Sequence, residues 1–152
     1  MRECGGCTMC CTHIEVQALN KPAGRVCQYA CDGCTIYDRR PEQCAGFDCL
    51  WMVEPSLPEA LWPKLCGVFF EPFWDERMVV AMVDPTRPKV WMNGAGNELI
   101  SQMVHDGYIV WVMVGADRHL LLPDGVSEEE GHEQAKRAWE RKVWPHQPIQ
   151  LI

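Results

Sequence analysis

A chain of 152 residues, 47% of them hydrophobic, can bury a real core as one domain or as one domain with a small appended module. Its net charge of −7 disfavours non-specific binding to phosphate backbones, so nucleic acid is not an expected partner. No apolar run is long enough to span a bilayer, and the opening Met1-Arg2-Glu3-Cys4 has no apolar leader, which predicts a cytoplasmic protein with reduced thiols.

Residues 1–50 are rich in Cys and Gly and show no sustained helical or strand period. Such a segment has too few large apolar side chains to fold around a core of its own, and reads as a module stapled by metal. Residues 51–75 carry Pro55, Pro58, Pro63 and Pro72 among aromatics. They read as an irregular connector with one short helix near Leu57–Leu61, its aromatics covering the module.

Residues 76–122 read as a small sheet. Met78–Val83 is an apolar, β-branched run that ends at the turn chemistry of Asp84-Pro85-Thr86-Arg87-Pro88. Lys89–Met92 reads as a short second strand. Asn97 can cap a helix through about His105, with Leu99, Ile100, Met103 and Val104 on one face, and Gly107 stops it. Tyr108–Val114 and Arg118–Leu122 read as strands around Gly115-Ala116-Asp117. Ser127 and Glu130 form a capping-box pattern for a final helix, with Lys136, Arg137, Arg141 and Lys142 near its end, where cations are favoured. The fold class expected is α+β: an irregular Cys-rich metal-binding module, residues 1–50, packed on a small, mainly antiparallel sheet with two helices, residues 51–152. The two parts are expected to share one core through Trp51, Leu61, Trp62, Phe69 and Phe70.

All ten cysteines lie between Cys4 and Cys66, so they act locally and together. The pattern is Cys4-x2-Cys7-x2-Cys10-Cys11, then Cys27-x3-Cys31-x2-Cys34, then Cys44-x4-Cys49. A Cys-x2-Cys pair turns two sulfurs toward one point, and thiolates select zinc, iron–sulfur clusters or Cu(I) over hard cations. Dense cysteines in a reducing compartment point to metal rather than to a disulfide framework. The adjacent Cys10 and Cys11 serve two neighbouring sites, or bridge, more easily than they chelate one ion. Two four-thiolate sites use Cys4, Cys7, Cys10, Cys11, Cys27, Cys34, Cys44 and Cys49; spacing does not say which four share an ion. Two divalent ions with eight thiolates leave a charge of about −4, which Arg25, Arg39 and Arg40 are placed in sequence to offset. Cys66 reads as a buried small hydrophobe. Cys31 is left open as a ligand, a spare or a reactive thiol.

Residues 4–51 resemble the YkgJ-type cysteine-cluster family, described as zinc- or iron-chelating domains. The resemblance rests on Cys4-Gly-Gly-Cys7-Thr-Met-Cys10-Cys11, on Cys27, on Gly33-Cys34-Thr35-Ile36-Tyr37-Asp38-Arg39-Arg40-Pro41, and on Cys44-Ala-Gly-Phe47-Asp-Cys49-Leu-Trp51. This chain has Thr8-Met9 where a glycine often precedes the double cysteine, and Cys31 is an addition. The resemblance covers about a third of the chain; it implies chelation of zinc or iron and no particular reaction.

Zinc held structurally, as two ions, is the leading expectation, with iron or an iron–sulfur cluster as the alternative cofactor. The first spacing resembles the start of a ferredoxin run, but the Cys-x3-Cys-Pro ending is absent. A thiol–disulfide enzyme would need Cys-x2-Cys at a strand-to-helix junction, and none is predicted. His13 reads as an exposed loop residue, His105 and His119 as surface residues, and His132 and His146 as lacking a ligand partner. Asn93-Gly94-Ala95-Gly96-Asn97 reads as a turn and helix cap, since phosphate cradling needs further residues. Met78, Met82, Met92, Met103 and Met113 read as core. No catalytic constellation emerges, so an enzyme is not defined; the alternative to a structural metal protein is a metalloenzyme or redox protein with an open position. The partner, protein or small molecule, is not legible.

Overall fold

A computed structural model describes residues 2–47 and 49–141. The expected positions of Lys142 and His146 lie outside them. The N-terminal part carries short elements only: α1 (Met9–His13), a hairpin of β1 (Ala30–Cys31) with β2 (Gly33–Cys34), α2 (Glu42–Ala45), α3 (Leu50–Val53) and α4 (Pro63–Cys66). The rest is a four-stranded sheet, β3 (Val68–Phe73), β4 (Met78–Val83), β5 (Ile109–Val114) and β6 (Asp117–Leu121), with two long helices, α5 (Gly94–His105) and α6 (Glu128–Arg141).

The α+β class is as expected, and the sheet is mixed. Its order is β3-β4-β5-β6; β3–β4 and β5–β6 are antiparallel, while the central β4–β5 pair is parallel. Parallel neighbours need a crossover, and α5 supplies it.

Strand alternation gives the sheet two buried faces. On one, Val68 and Phe70 of β3, Val79, Ala81 and Val83 of β4, and Val110 and Val112 of β5 pack with Ile100 and Met103 of α5 and with Leu50 and Leu61. On the other, Phe73, Met78, Val80, Ile109, Trp111 and Met113 pack with Ala135 and Ala138 of α6. Phe69 belongs to this second face and is 2% exposed. Its ring makes T-shaped contacts with His13 and Phe47, at 5.4 and 5.7 Å between centroids, so the cysteine-rich segment is seated on β3.

Three local readings are corrected. The connector expected over 51–75 ends in strand β3. Pro72 interrupts the run in sequence, but β3 is an edge strand, where a missing N–H is tolerated. The strand expected at Lys89–Met92 is instead a 3-10 turn, Val90–Met92, whose Val90 and Met92 N–H groups bond locally to the Arg87 and Lys89 carbonyls at 3.0 and 3.1 Å rather than to a neighbouring strand. Asn97 lies inside α5 and donates to the Trp91 carbonyl at 3.2 Å, while Asn93 occupies the capping position. Of the methionines expected in the core, Met78, Met103 and Met113 are buried, Met82 is half-buried, and Met92 is 57% exposed on that turn.

The capping box holds. Ser127 Oγ accepts from the Glu130 backbone N–H at 3.2 Å, and the Glu130 carboxylate accepts from the Ser127 backbone N–H at 2.8 Å. Of the residues expected to bridge the two parts, Leu61 and Phe70 join the first core and Phe69 carries the second contact. Trp51 and Trp62 are half-buried and meet cations instead, Arg2 over the Trp51 ring at 3.6 Å and Lys64 near Trp62 at 5.7 Å.

Candidate metal centre

The cysteines are brought together by backbone ties rather than by regular structure. Cys7 N–H donates to Cys4 C=O at 3.0 Å, closing the first Cys-x2-Cys turn. The Cys27 N–H donates to the Cys11 carbonyl at 3.0 Å, and the Ala30 N–H to the Cys27 carbonyl at 3.0 Å. Ala30 in turn pairs with Cys34 across the hairpin, which chains Cys11, Cys27 and Cys34. At the other end, Arg2 donates to the carbonyls of Trp51 and Pro55, at 3.4 and 2.9 Å, and to that of Leu57. That clasp sets the start of the chain beside the Cys49 segment, where the Cys4 thiol meets the Met52 sulfur at 3.8 Å.

Two small adjoining recesses result. Cys4, Cys7, Cys10, Cys11, Cys27, Cys34 and Cys44 line the first, and Cys4, Cys7, Cys10, Cys44 and Cys49 the second. Together they take in all eight cysteines singled out from spacing. Cys31 is exposed on the hairpin, and Cys66, half-buried, points its thiol at the Val68 carbonyl, 3.1 Å away; neither lines a recess. The recess volumes are about 50 and 40 Å³. Pockets for drug-sized ligands run to hundreds of Å³, so these accommodate an ion or a water or two, not an organic substrate. All ten cysteines are free thiols.

Electrostatics distinguishes the sulfurs. Burial pushes the Cys49 thiol up to about 11. Burial also raises Cys7, with Cys4 and Cys11 adding repulsion, and Cys44, with Cys11, Cys27 and Cys34 adding theirs. Cys10 and Cys11 split: the hydrogen bond between them holds Cys11 down to about 7, helped by Lys21 and Arg40 against its burial, and pushes Cys10 well above the thiol range. Buried thiols of this kind keep their protons until a cation replaces them.

Lys21, which sequence reasoning missed, is 6% exposed. Its ammonium donates to the carbonyls of Thr12 at 3.3 Å and Pro22 at 3.1 Å, and to that of Ile14. Burial lowers its pKa, while Cys27, Cys11, Cys10 and Cys44 favour its charge. Of the three arginines expected to face the sulfurs, Arg40 lines both recesses, whereas Arg25 and Arg39 are exposed. His13, expected on an exposed loop, closes α1, and burial pushes its imidazole down to about 4, so it is neutral. It lines neither recess.

Among the described residues, no group of three or more Cys, His, Asp or Glu side chains is arranged to hold a metal ion. The donor set itself fits a soft cation: thiols, two flanking cations, and no carboxylate lining either recess. A wider cleft of about 410 Å³ runs between α6 and the sheet, floored by Met78, Val80, Trp111 and Met113. Its rim sets Lys136 between Glu133 and Glu140, so no ligand charge is selected there.

Compared with protein-family models, curated proteins and solved structures, the chain matches none of them. Among the described residues no helix is long and apolar enough to cross a membrane.

Proposed function

We propose that this chain is a zinc-binding protein in which thiolate-held ions fix the N-terminal third on the sheet. The observation that carries the reading is the lining of the two recesses: the eight cysteines chosen from spacing, and neither of the other two. Protonated thiols attract one another weakly, so nothing draws the sulfurs into a tetrahedron until a cation replaces their protons. Zinc would bring the coordination energy that residues 2–47 lack in apolar contacts, and Cys4, Cys7, Cys10, Cys11, Cys27, Cys34, Cys44 and Cys49 would hold it. Lys21 and Arg40 would offset the thiolate charge. The small recess volumes support a structural role over an open catalytic position, which would have to admit a substrate. Reduced thiols imply a reducing compartment, which is the basis for a cytoplasmic assignment.

The test is anaerobic purification followed by metal and sulfide analysis and a visible spectrum. About two zinc ions per chain and a colourless solution are expected, from four ligands per closed site. Iron with acid-labile sulfide and a brown solution would transfer the assignment to an iron–sulfur cluster. A metal-free protein that is fully folded would end it.

A further inference from the structure

Resting on the metal-binding reading, we infer that the eight thiols divide between two separate four-sulfur sites, Cys4, Cys7, Cys10 and Cys49 in one and Cys11, Cys27, Cys34 and Cys44 in the other. Four of the eight lie on one recess only: Cys11, Cys27 and Cys34 on the first, Cys49 on the second. The remaining four line both recesses, and their neighbours assign them.

Backbone ties chain Cys11 to Cys27 and Cys27, through Ala30, to Cys34. Cys44 lines the first recess beside these three and brings their number to four. On the other side, the Cys4–Cys7 turn is held to the Cys49 segment by the Arg2 clasp and by the Cys4–Met52 contact. Cys49 lines the second recess together with Cys4, Cys7 and Cys10. The division therefore falls between Cys10 and Cys11. Both stand in α1, where successive side chains leave the axis about 100° apart, so adjacent residues face different sites more readily than one. Their sulfurs meet where the two sites abut.

The surroundings of the sites differ. The Cys11 site has the buried Lys21 and Arg40 beside it. The Cys49 recess is walled by Met9, Phe47, Trp51, Met52, Pro63 and Phe69, with Arg40 alone for charge. Loss of the first site would unfasten the hairpin and the Lys21 loop; loss of the second would unfasten the chain start from the sheet.

The experiment is replacement of zinc by cadmium-113 in the full chain, followed by proton–cadmium correlation through the cysteine β-protons. Two cadmium resonances are expected, one correlating with Cys4, Cys7, Cys10 and Cys49 and the other with Cys11, Cys27, Cys34 and Cys44. A single resonance, Cys10 and Cys11 on one cadmium, or either of them on both would overturn the division and leave metal binding standing. No cadmium retained by the reduced protein would overturn the metal reading itself. Cys34→Ser and Cys49→Ser give an independent measure: each is expected to keep one ion and the double variant none. If either substitution unfolds the chain, the wild-type correlations still decide. Folded single variants that lose the same ion would again overturn the division.

Discussion

Arg40 lays its guanidinium over the ring of Tyr37, 3.6 Å from the centroid, and donates from Nε to the Tyr37 carbonyl at 2.8 Å. The stack fixes a long, otherwise mobile side chain at the lip of both recesses, where it acts on Cys11 and Cys44. Arg40→Ala is therefore expected to weaken zinc retention roughly 10-fold, the usual scale for a group that supports metal ligands without binding the ion. Competition with a chromophoric zinc chelator measures it. Arg40→Lys keeps the charge and loses the planar stack, so it should fall between the two. Equal zinc retention in all three proteins would show that Arg40 does not neutralise the thiolates.

Lys21 presents a different balance, because its ammonium is buried and held by main-chain oxygens. Lys21→Met keeps the length of the side chain but leaves those carbonyls short of a donor and removes a cation from the thiols. Unfolding free energy should drop by about 2–3 kcal/mol, read from urea midpoints of the zinc-loaded protein at constant slope. A midpoint equal to that of the wild type would mean the ammonium contributes no net stability.

Phe69 connects the cysteine-rich segment to the sheet through T-shaped contacts with the His13 and Phe47 rings. Phe69→Ala opens a cavity at a fully buried site and should cost about 3–5 kcal/mol. If the contact with Phe47 holds the two parts together, a double-mutant cycle with Phe47→Ala will show a coupling of at least about 0.5 kcal/mol. Strict additivity in urea unfolding would show that the Phe47 contact does not hold the two parts together.

What the sequence revealed followed from locality. β4 and β5 were legible because β-branched runs bounded by turn residues report a buried strand. The Ser127–Glu130 cap was legible because both partners lie within one helical turn. The eight cysteines taken from spacing all line the recesses, while Cys31, left open in the sequence, and Cys66 line neither; spacing did not sort the eight among themselves. Sorting them depends on ties such as Cys27 to Cys11 and Arg2 to Trp51, which span 16 and 49 residues and leave no periodic trace. β3 was hidden by Pro72, whose tolerance depends on an edge position known only once the sheet is assembled. Lys21 carries no signal in the sequence, since its ammonium is held by the carbonyls of Thr12, Ile14 and Pro22, a matter of chain path. Met92 was read into the core from its apolar neighbours, and the 3-10 turn that exposes it is closed by a local bond from its N–H to the Lys89 carbonyl.

The turn after β4 makes the clearest pH prediction. Asp84 Oδ1 accepts from the Thr86 N–H at 2.9 Å and its hydroxyl at 2.7 Å, and Oδ2 accepts from Arg87 Nε at 3.0 Å. Arg87 also donates to the Leu65 and Lys64 carbonyls, at 3.0 and 3.2 Å, so the carboxylate anchors the turn to the chain before β3. Burial pushes the Asp84 carboxyl up, but the bonds from Thr86 and Arg87 outweigh it and the net shift is downward. The unfolded chain then binds this proton more readily than the folded one, so stability rises with pH in that interval and falls on acidification. The contribution is complete above about pH 4, the ordinary aspartate range, and is lost as pH drops through the lower folded value. Asp84→Asn should be less stable than the wild type at neutral pH by about 1 kcal/mol. The gap should close on acidification below pH ~4. Urea unfolding of both proteins across that range measures it, and a gap that stays constant would show that the Asp84 charge plays no part in holding the turn.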